Sequence, residues 1–126
     1  MNNAASKITD AEWQVMKVVW KQSPLTASAI AEYLKEETSW SPKTVQTLIG
    51  RLVKKGVLGT LKDTNPFQYY PLVSQTACRR EQTESFLQKV YDGSLHMLLV
   101  NFVNDENLSP QEIRELRNLL DDKIQR

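Results

Sequence analysis

Ser41-Pro42-Lys43-Thr44-Val45-Gln46-Thr47-Leu48-Ile49-Gly50-Arg51-Leu52-Val53-Lys54-Lys55-Gly56 is the stretch on which the fold turns. Its opening is a helix start. Ser41 can accept from an N–H of the first turn, and Pro42 gives up only an N–H that has no partner there. Gly56 stands where a left-handed residue closes the helix. Val45, Leu48, Ile49 and Leu52 recur at i, i+3, i+4 and i+7, a stripe that must face a core. The opposite face holds Lys43, Thr44, Gln46, Thr47, Gly50, Arg51 and Lys54.

Beyond Gly56 the periodicity changes from helical to extended. Val57–Lys62 and Phe67–Val73 are rich in β-branched, aromatic and Leu residues, and Asp63-Thr64-Asn65-Pro66 between them is turn chemistry. A two-stranded hairpin is expected there. Upstream, Thr9-Asp10-Ala11-Glu12 is a capping box, with Ile8 and Trp13 placed as a hydrophobic staple. Trp13, Met16 and Trp20 then recur along one face, widened by Val15, Val18 and Val19, until Pro24 stops the helix. A shorter helix is expected from Thr26 to Glu37, with Ala27, Ile30, Ala31 and Leu34 inward. Three helices followed by a hairpin is the order of a winged helix-turn-helix.

The remainder reads as all helix. One helix spans 75–92 and ends at Gly93, and a second runs from Ser94 to Asn104. Leu108-Ser109-Pro110-Gln111-Glu112-Ile113 repeats the cap logic and opens a third. Phe86, Val90, Leu95, Leu98, Leu99, Phe102, Ile113, Leu116, Leu120 and Ile124 are its apolar positions. About fifty residues of amphipathic helix cannot make a substantial core alone, so a second copy is expected to cover them. The fold class is therefore mainly α with a small β-hairpin: a winged helix over residues 1–74, then a helical dimerisation domain over 75–126.

Charge points the same way. The chain has a net charge of +1, but Ser39–Lys62 contains five bases and no acid, a local field suited to a polyanion. An α-helix fits the major groove of DNA, where Arg pairs with guanine, Gln with adenine, and Thr meets a thymine methyl or a phosphate. Ser41, Lys43, Thr44, Gln46, Thr47 and Arg51 are the expected reading set. Lys54, Lys55 and Lys62 are expected near phosphates at the helix end and on the wing.

Other chemistries are poorly supplied. The chain has one His, His96, read as a surface or interface residue, and one Cys, Cys78, read as a small semi-buried residue. They support neither a disulfide framework nor a Cys/His metal cluster, and no nucleophile elbow, glycine-rich phosphate loop or HExxH occurs. No enzyme activity, cofactor or metal is expected. The longest largely apolar stretch, His96–Val103, is far short of the roughly 20 residues of a bilayer span, and Met1–Lys7 lacks the layout of a secretory signal. A cytoplasmic protein with no membrane insertion is the expectation.

Ala11–Met16, Trp40–Ile49, Arg51–Gly56 and Phe67–Tyr70, with Val100–Val103 and Leu108–Leu116, resemble the penicillinase and methicillin-resistance repressor family, from about Ile8 to Leu120. The resemblance implies a homodimeric repressor on an inverted-repeat operator with half-sites like TACA/TGTA. It further implies a membrane sensor-transducer with a cytoplasmic zinc metalloprotease domain that responds to β-lactam and inactivates the repressor at an Asn-Phe bond, here Asn101-Phe102. Copper-responsive relatives end in paired Cys-x-Cys motifs, and a single Cys78 does not carry that function over. Phe102 closes an apolar stripe and is expected to be buried, so local opening over Asn101–Glu106 would precede cleavage. Two alternatives share the sequence features: a repressor of the same architecture with another inducer and no proteolysis, and a helical protein–protein adaptor.

Overall fold

The computed structural model describes residues 7–105 and 108–125. Six helices and three short strands follow in the order α1 (Asp10–Lys21), β1 (Leu25–Thr26), α2 (Ala27–Leu34), α3 (Pro42–Lys54), β2 (Leu58–Leu61), β3 (Gln68–Pro71), α4 (Gln75–Tyr91), α5 (Leu95–Asn104) and α6 (Pro110–Ile124). They form two compact units, one reaching to Thr83 and one starting at Glu84, so the division falls within α4. No helix among the described residues is long and apolar enough to cross a membrane.

In the first unit the helix ends follow local chemistry. Thr9 and Glu12 form the expected reciprocal box at α1. Thr26 caps α2 by accepting from the Ala29 N–H. Ser41 caps α3 by accepting from the Thr44 N–H at 3.2 Å, with Pro42 as the first helical residue. Gly56 follows α3 with φ +80°, the left-handed conformation that a Cβ disfavours.

The core consists of Val15, Met16 and Val19 from α1, Ile30 and Leu34 from α2, and Val45, Leu48, Ile49 and Leu52 from α3. Ile8, Leu25, Val57, Leu58 and Cys78 close it. Val15, Met16 and Val19 lie on the expected apolar face of α1, with Trp13, Val18 and Trp20 half-buried against the same core. Trp13 and Trp20 flank the core, stacked edge to face at 5.1 Å. The Trp20 indole N–H donates to the Val73 carbonyl at 2.9 Å. Cys78 is fully buried rather than semi-buried, and burial, with the Glu81 charge adding, pushes its thiol above the ordinary value.

The sheet has three strands where a two-stranded hairpin was expected. Its order is β1-β3-β2, both pairings antiparallel, with Leu25 opposite Tyr69 and Gly59 opposite Tyr70. β1 is two residues: Leu25, directly after Pro24, and Thr26, which is itself the cap of α2. It exists because β3 presents an edge, not because its own sequence shows strand periodicity.

The second unit has well-made helices and no core. Ser94 caps α5 by accepting from the Met97 N–H. Ser109 and Glu112 form a second capping box, and the hydrogen bonds from the Ser109 backbone and hydroxyl hold the Glu112 carboxyl below its ordinary value. Yet neither α5 nor α6 buries a residue.

Candidate nucleic-acid interface

The amphipathic pattern of α3 divides it cleanly. Val45, Leu48, Ile49 and Leu52 point into the core, with Val53 half-buried against it, which fixes the helix and turns the polar positions outward. Ser41, Lys43, Thr44, Gln46, Thr47, Gly50, Arg51 and Lys54 are all exposed. Lys62 is exposed at the end of β2, where the turn to β3 is tightened by the Thr64 hydroxyl donating to the Leu61 carbonyl at 2.8 Å. Among the described residues, Lys43, Arg51, Lys54 and Lys62 have no carboxylate within ion-pair distance. The structure therefore brings seven of the expected residues onto one face, with Lys62 on the adjoining wing element.

Lys55 departs from the expected set. It is only partly exposed, and its Nζ donates to Glu12 Oε1 at 2.6 Å and to the Lys7 carbonyl at 2.8 Å. Two of its three donors are thereby used inside the protein, so it does not stand free as Lys54 and Lys62 do. Glu12 is the one buried charged residue among those described. Burial alone would push its carboxyl up, but the hydrogen bond and charge of Lys55, with the hydrogen bonds from Thr9, together hold it below the ordinary value. Sequence reasoning recognised Glu12 as a capping residue and missed its second role, since a separation of 43 residues leaves no local signature.

Hydrogen bonds restrict what the α3 face can offer a partner. The Thr47 hydroxyl donates to the Lys43 carbonyl at 3.0 Å, and the Ser41 and Thr44 hydroxyls share a bond of 3.1 Å. Lys43, Gln46, Arg51 and Lys54 make no such contact among the described residues and are free donors. The face thus combines long polar and charged chains free of internal contacts among the described residues with short side chains already tied to the helix.

The expected dimerisation residues share a single fate. Phe86, Val90, Leu95, Leu99, Phe102, Ile113, Leu116, Leu120 and Ile124 are exposed large hydrophobics, and Leu98 is half-buried. Phe102 is 46% exposed, against the expectation that it is buried, because α5 by itself offers nothing to cover it. Met97, Val100, Val103 and Leu119 are exposed as well and were not singled out, although Leu119 beside Leu120 signals a stripe wider than one residue. Asn101 and Phe102 both lie within α5, while Glu106, the end of the segment expected to open, lies outside the described residues.

The chain is similar to known proteins over nearly its whole length. The family model described as penicillinase repressor matches residues 8–122. The methicillin resistance regulatory protein MecI of Staphylococcus aureus is 43% identical over 98% of this chain and all of its own. The penicillinase repressor of Bacillus licheniformis is 38% identical over 92% of this chain and 91% of its own. Among solved structures, the Bacillus licheniformis repressor BlaI, in monomeric form in complex with the blaP half-operator, superposes with a TM-score of 0.50 at 41% identity. That match covers 56% of this chain and 85% of that one. Sequence, fold and the exposed basic face agree, and the chain belongs to the penicillinase repressor family.

Proposed function

We infer that this chain is a transcriptional repressor of β-lactam-resistance-type genes that binds operator DNA through the exposed face of α3. The observation that carries the reading is that face itself: a helix seated on the core presents Lys43, Gln46, Arg51 and Lys54 with no carboxylate at ion-pair distance among the described residues. Arg51 suits guanine O6/N7 and Gln46 suits adenine N6/N7 in the major groove. Ser41, Lys43 and Thr44 at the start of α3, with Lys54 and Lys62, suit phosphates and set the register. The complex of BlaI in monomeric form with a half-operator supports one module per half-site.

Dimerisation supplies the rest of the affinity. The uncovered apolar residues of α5 and α6 favour pairing with a second copy, and two linked modules on an inverted repeat bind far more tightly than one. The repressor acts in the cytoplasm, where a membrane sensor-transducer metalloprotease would inactivate it by cutting Asn101–Phe102. Such a cut separates α6 and the last residues of α5 from α4 and the rest of α5, so dimerisation fails while the reading face stays whole. Both residues are exposed, but in α5 the bond is helical, and a protease needs an extended chain, so that turn must unwind first.

The reading is tested with a labelled inverted-repeat duplex of TACA/TGTA half-sites, titrated over a range of salt with the wild type and with a Thr47→Ala, Arg51→Ala double variant. Affinity for the wild type should fall steeply with salt, as several phosphate contacts require. The double variant should lose sequence preference and retain its fold and oligomeric state. Salt-independent binding, or sequence preference that survives the double substitution, contradicts the assignment and favours a protein-binding adaptor.

A further inference from the structure

The DNA-reading assignment counts Thr47 in the reading set without fixing which group it meets, and gives Gly50 no role. Lys43, Thr47, Gly50 and Lys54 fall at i, i+4, i+7 and i+11, one line along the exposed face of α3. Gln46 and Arg51 stand to either side of it. The two central positions are the least polar part of an otherwise strongly polar surface.

Thr47 is usually taken for a hydrogen-bonding residue, but its hydroxyl proton already goes to the Lys43 carbonyl at 3.0 Å. This bond is internal to the helix and needs no partner to form. What remains for a ligand is a methyl group and an oxygen lone pair. Gly50 is exposed, and a Cβ added there would meet nothing within 4 Å. Its φ is not in the left-handed region, so neither backbone conformation nor packing within the chain calls for glycine. A glycine in a helix interior nonetheless costs about 1 kcal/mol relative to alanine. The bare Cα therefore answers to something that approaches from outside the chain.

We propose that Thr47 and Gly50 together form a methyl-sized notch on α3 that receives the 5-methyl group of one thymine in each half-site. This rests on the DNA-binding reading above and specifies which group on the DNA that helix reads between its two hydrogen-bonding arms. In the major groove the thymine methyl is the apolar mark that separates T·A from the other pairs. The Thr47 methyl gives it a surface to pack on, and the missing Cβ of Gly50 gives it room. Gln46 and Arg51 then reach the polar edges of the neighbouring bases.

The test uses the full-length chain and an inverted-repeat duplex with TACA/TGTA half-sites, in which each thymine in turn, symmetrically in both half-sites, is replaced by deoxyuridine. That replacement removes one methyl and alters no hydrogen bond. For the wild type, one position should weaken binding about three- to tenfold per half-site, the scale of a lost methyl contact. Thr47→Ser, which keeps the hydroxyl, should bind the thymine duplex as weakly as the wild type binds the uracil one, and should no longer distinguish the two. Thr47→Val, which keeps the methyl, should bind like the wild type. Gly50→Ala should raise the melting temperature and weaken operator binding tenfold or more.

Specific, tight binding that is indifferent to every uracil substitution overturns the notch and leaves the DNA-binding reading intact. So does Thr47→Val binding as weakly as Thr47→Ser, which would assign the contact to the hydroxyl, or a Gly50→Ala variant of unaltered affinity. No preference for the inverted repeat over a scrambled duplex overturns the reading beneath it as well.

Discussion

Lys55 Nζ lies 2.6 Å from Glu12 Oε1 and ties the C-cap of the helix bearing the basic face to the N-terminal box of α1. The lysine also holds the Lys7 carbonyl, so the chain just before α1 is fastened at the same point. The buried carboxylate is held through Oε1 alone, by the Lys55 ammonium and the Thr9 N–H, since Oε2 has no hydrogen-bond partner among the described residues.

The pair predicts a pH dependence. Because the folded carboxyl of Glu12 is held below its unfolded value, its contribution is fully present above the ordinary carboxylate range. As pH falls into that range the unfolded chain takes up the proton first, and the contribution fades as pH approaches the folded value. Urea unfolding from neutral pH down to about pH 3 should show wild-type stability declining more steeply than that of Glu12→Gln. Lys55→Met at neutral pH, which leaves the carboxylate buried without its cation, should lose about 1–3 kcal/mol.

Lys54 and Lys62, which have no ion-pair partner among the described residues, should behave differently from Lys55. Lys54→Ala and Lys62→Ala are each expected to reduce the slope of log affinity against log salt by about one, weakening specific and scrambled duplexes alike. Their unfolding midpoints should stay within about 0.5 kcal/mol of wild type, as for surface changes generally. Lys55→Met should show the reverse pattern, a loss of stability with little change in the salt slope. Parallel titrations and melts on the same preparations distinguish the two behaviours.

Charge placed on α6 should separate the chains. Leu116 and Leu120 are 41% and 57% exposed, and aspartate at both positions should convert a dimer to a monomer by sedimentation, with helix content preserved. A single half-site should still be bound as before, while the full inverted repeat loses its added affinity. An unchanged dimer would place the interface elsewhere.

On the wing, Gly59 is held to glycine by its cross-strand neighbour. Gly59 pairs with Tyr70, and a Cβ at Gly59 would overlap the tyrosine ring. Gly59→Ala should therefore destabilise the protein by about 1–3 kcal/mol, read as a fall in melting temperature. Tyr70→Ala in the same chain should remove most of that penalty, since the clash needs both partners.

What the sequence disclosed and what it hid divide by range of interaction. Ser41, Pro42 and Gly56 bracket α3, and Thr9 with Glu12 opens α1, because caps act over three residues and leave a local pattern. Ser94, Ser109 and Glu112 did the same for α5 and α6. β1 escaped because two residues carry no periodicity and pair only with a distant edge. The bond from the Trp20 indole to the Val73 carbonyl, 53 residues on, escaped because it leaves no local pattern. At the interface, residue types and exposure were legible from the stripe of α3. The occupation of Lys55 by Glu12 and of the Thr47 hydroxyl by Lys43 was not, since both depend on which hydrogen bond a side chain chooses.

The account stands on α3 reading DNA as one half of a pair. Its most direct test is fluorescence anisotropy of a labelled duplex of about 30 bp, with two half-sites one or two helical turns apart, titrated with the wild-type chain against a scrambled duplex of equal composition at physiological salt. Binding about a thousandfold tighter to the inverted repeat, with two chains per duplex, is the predicted result. Equal and weak binding to both duplexes, erased by modest salt, would contradict it.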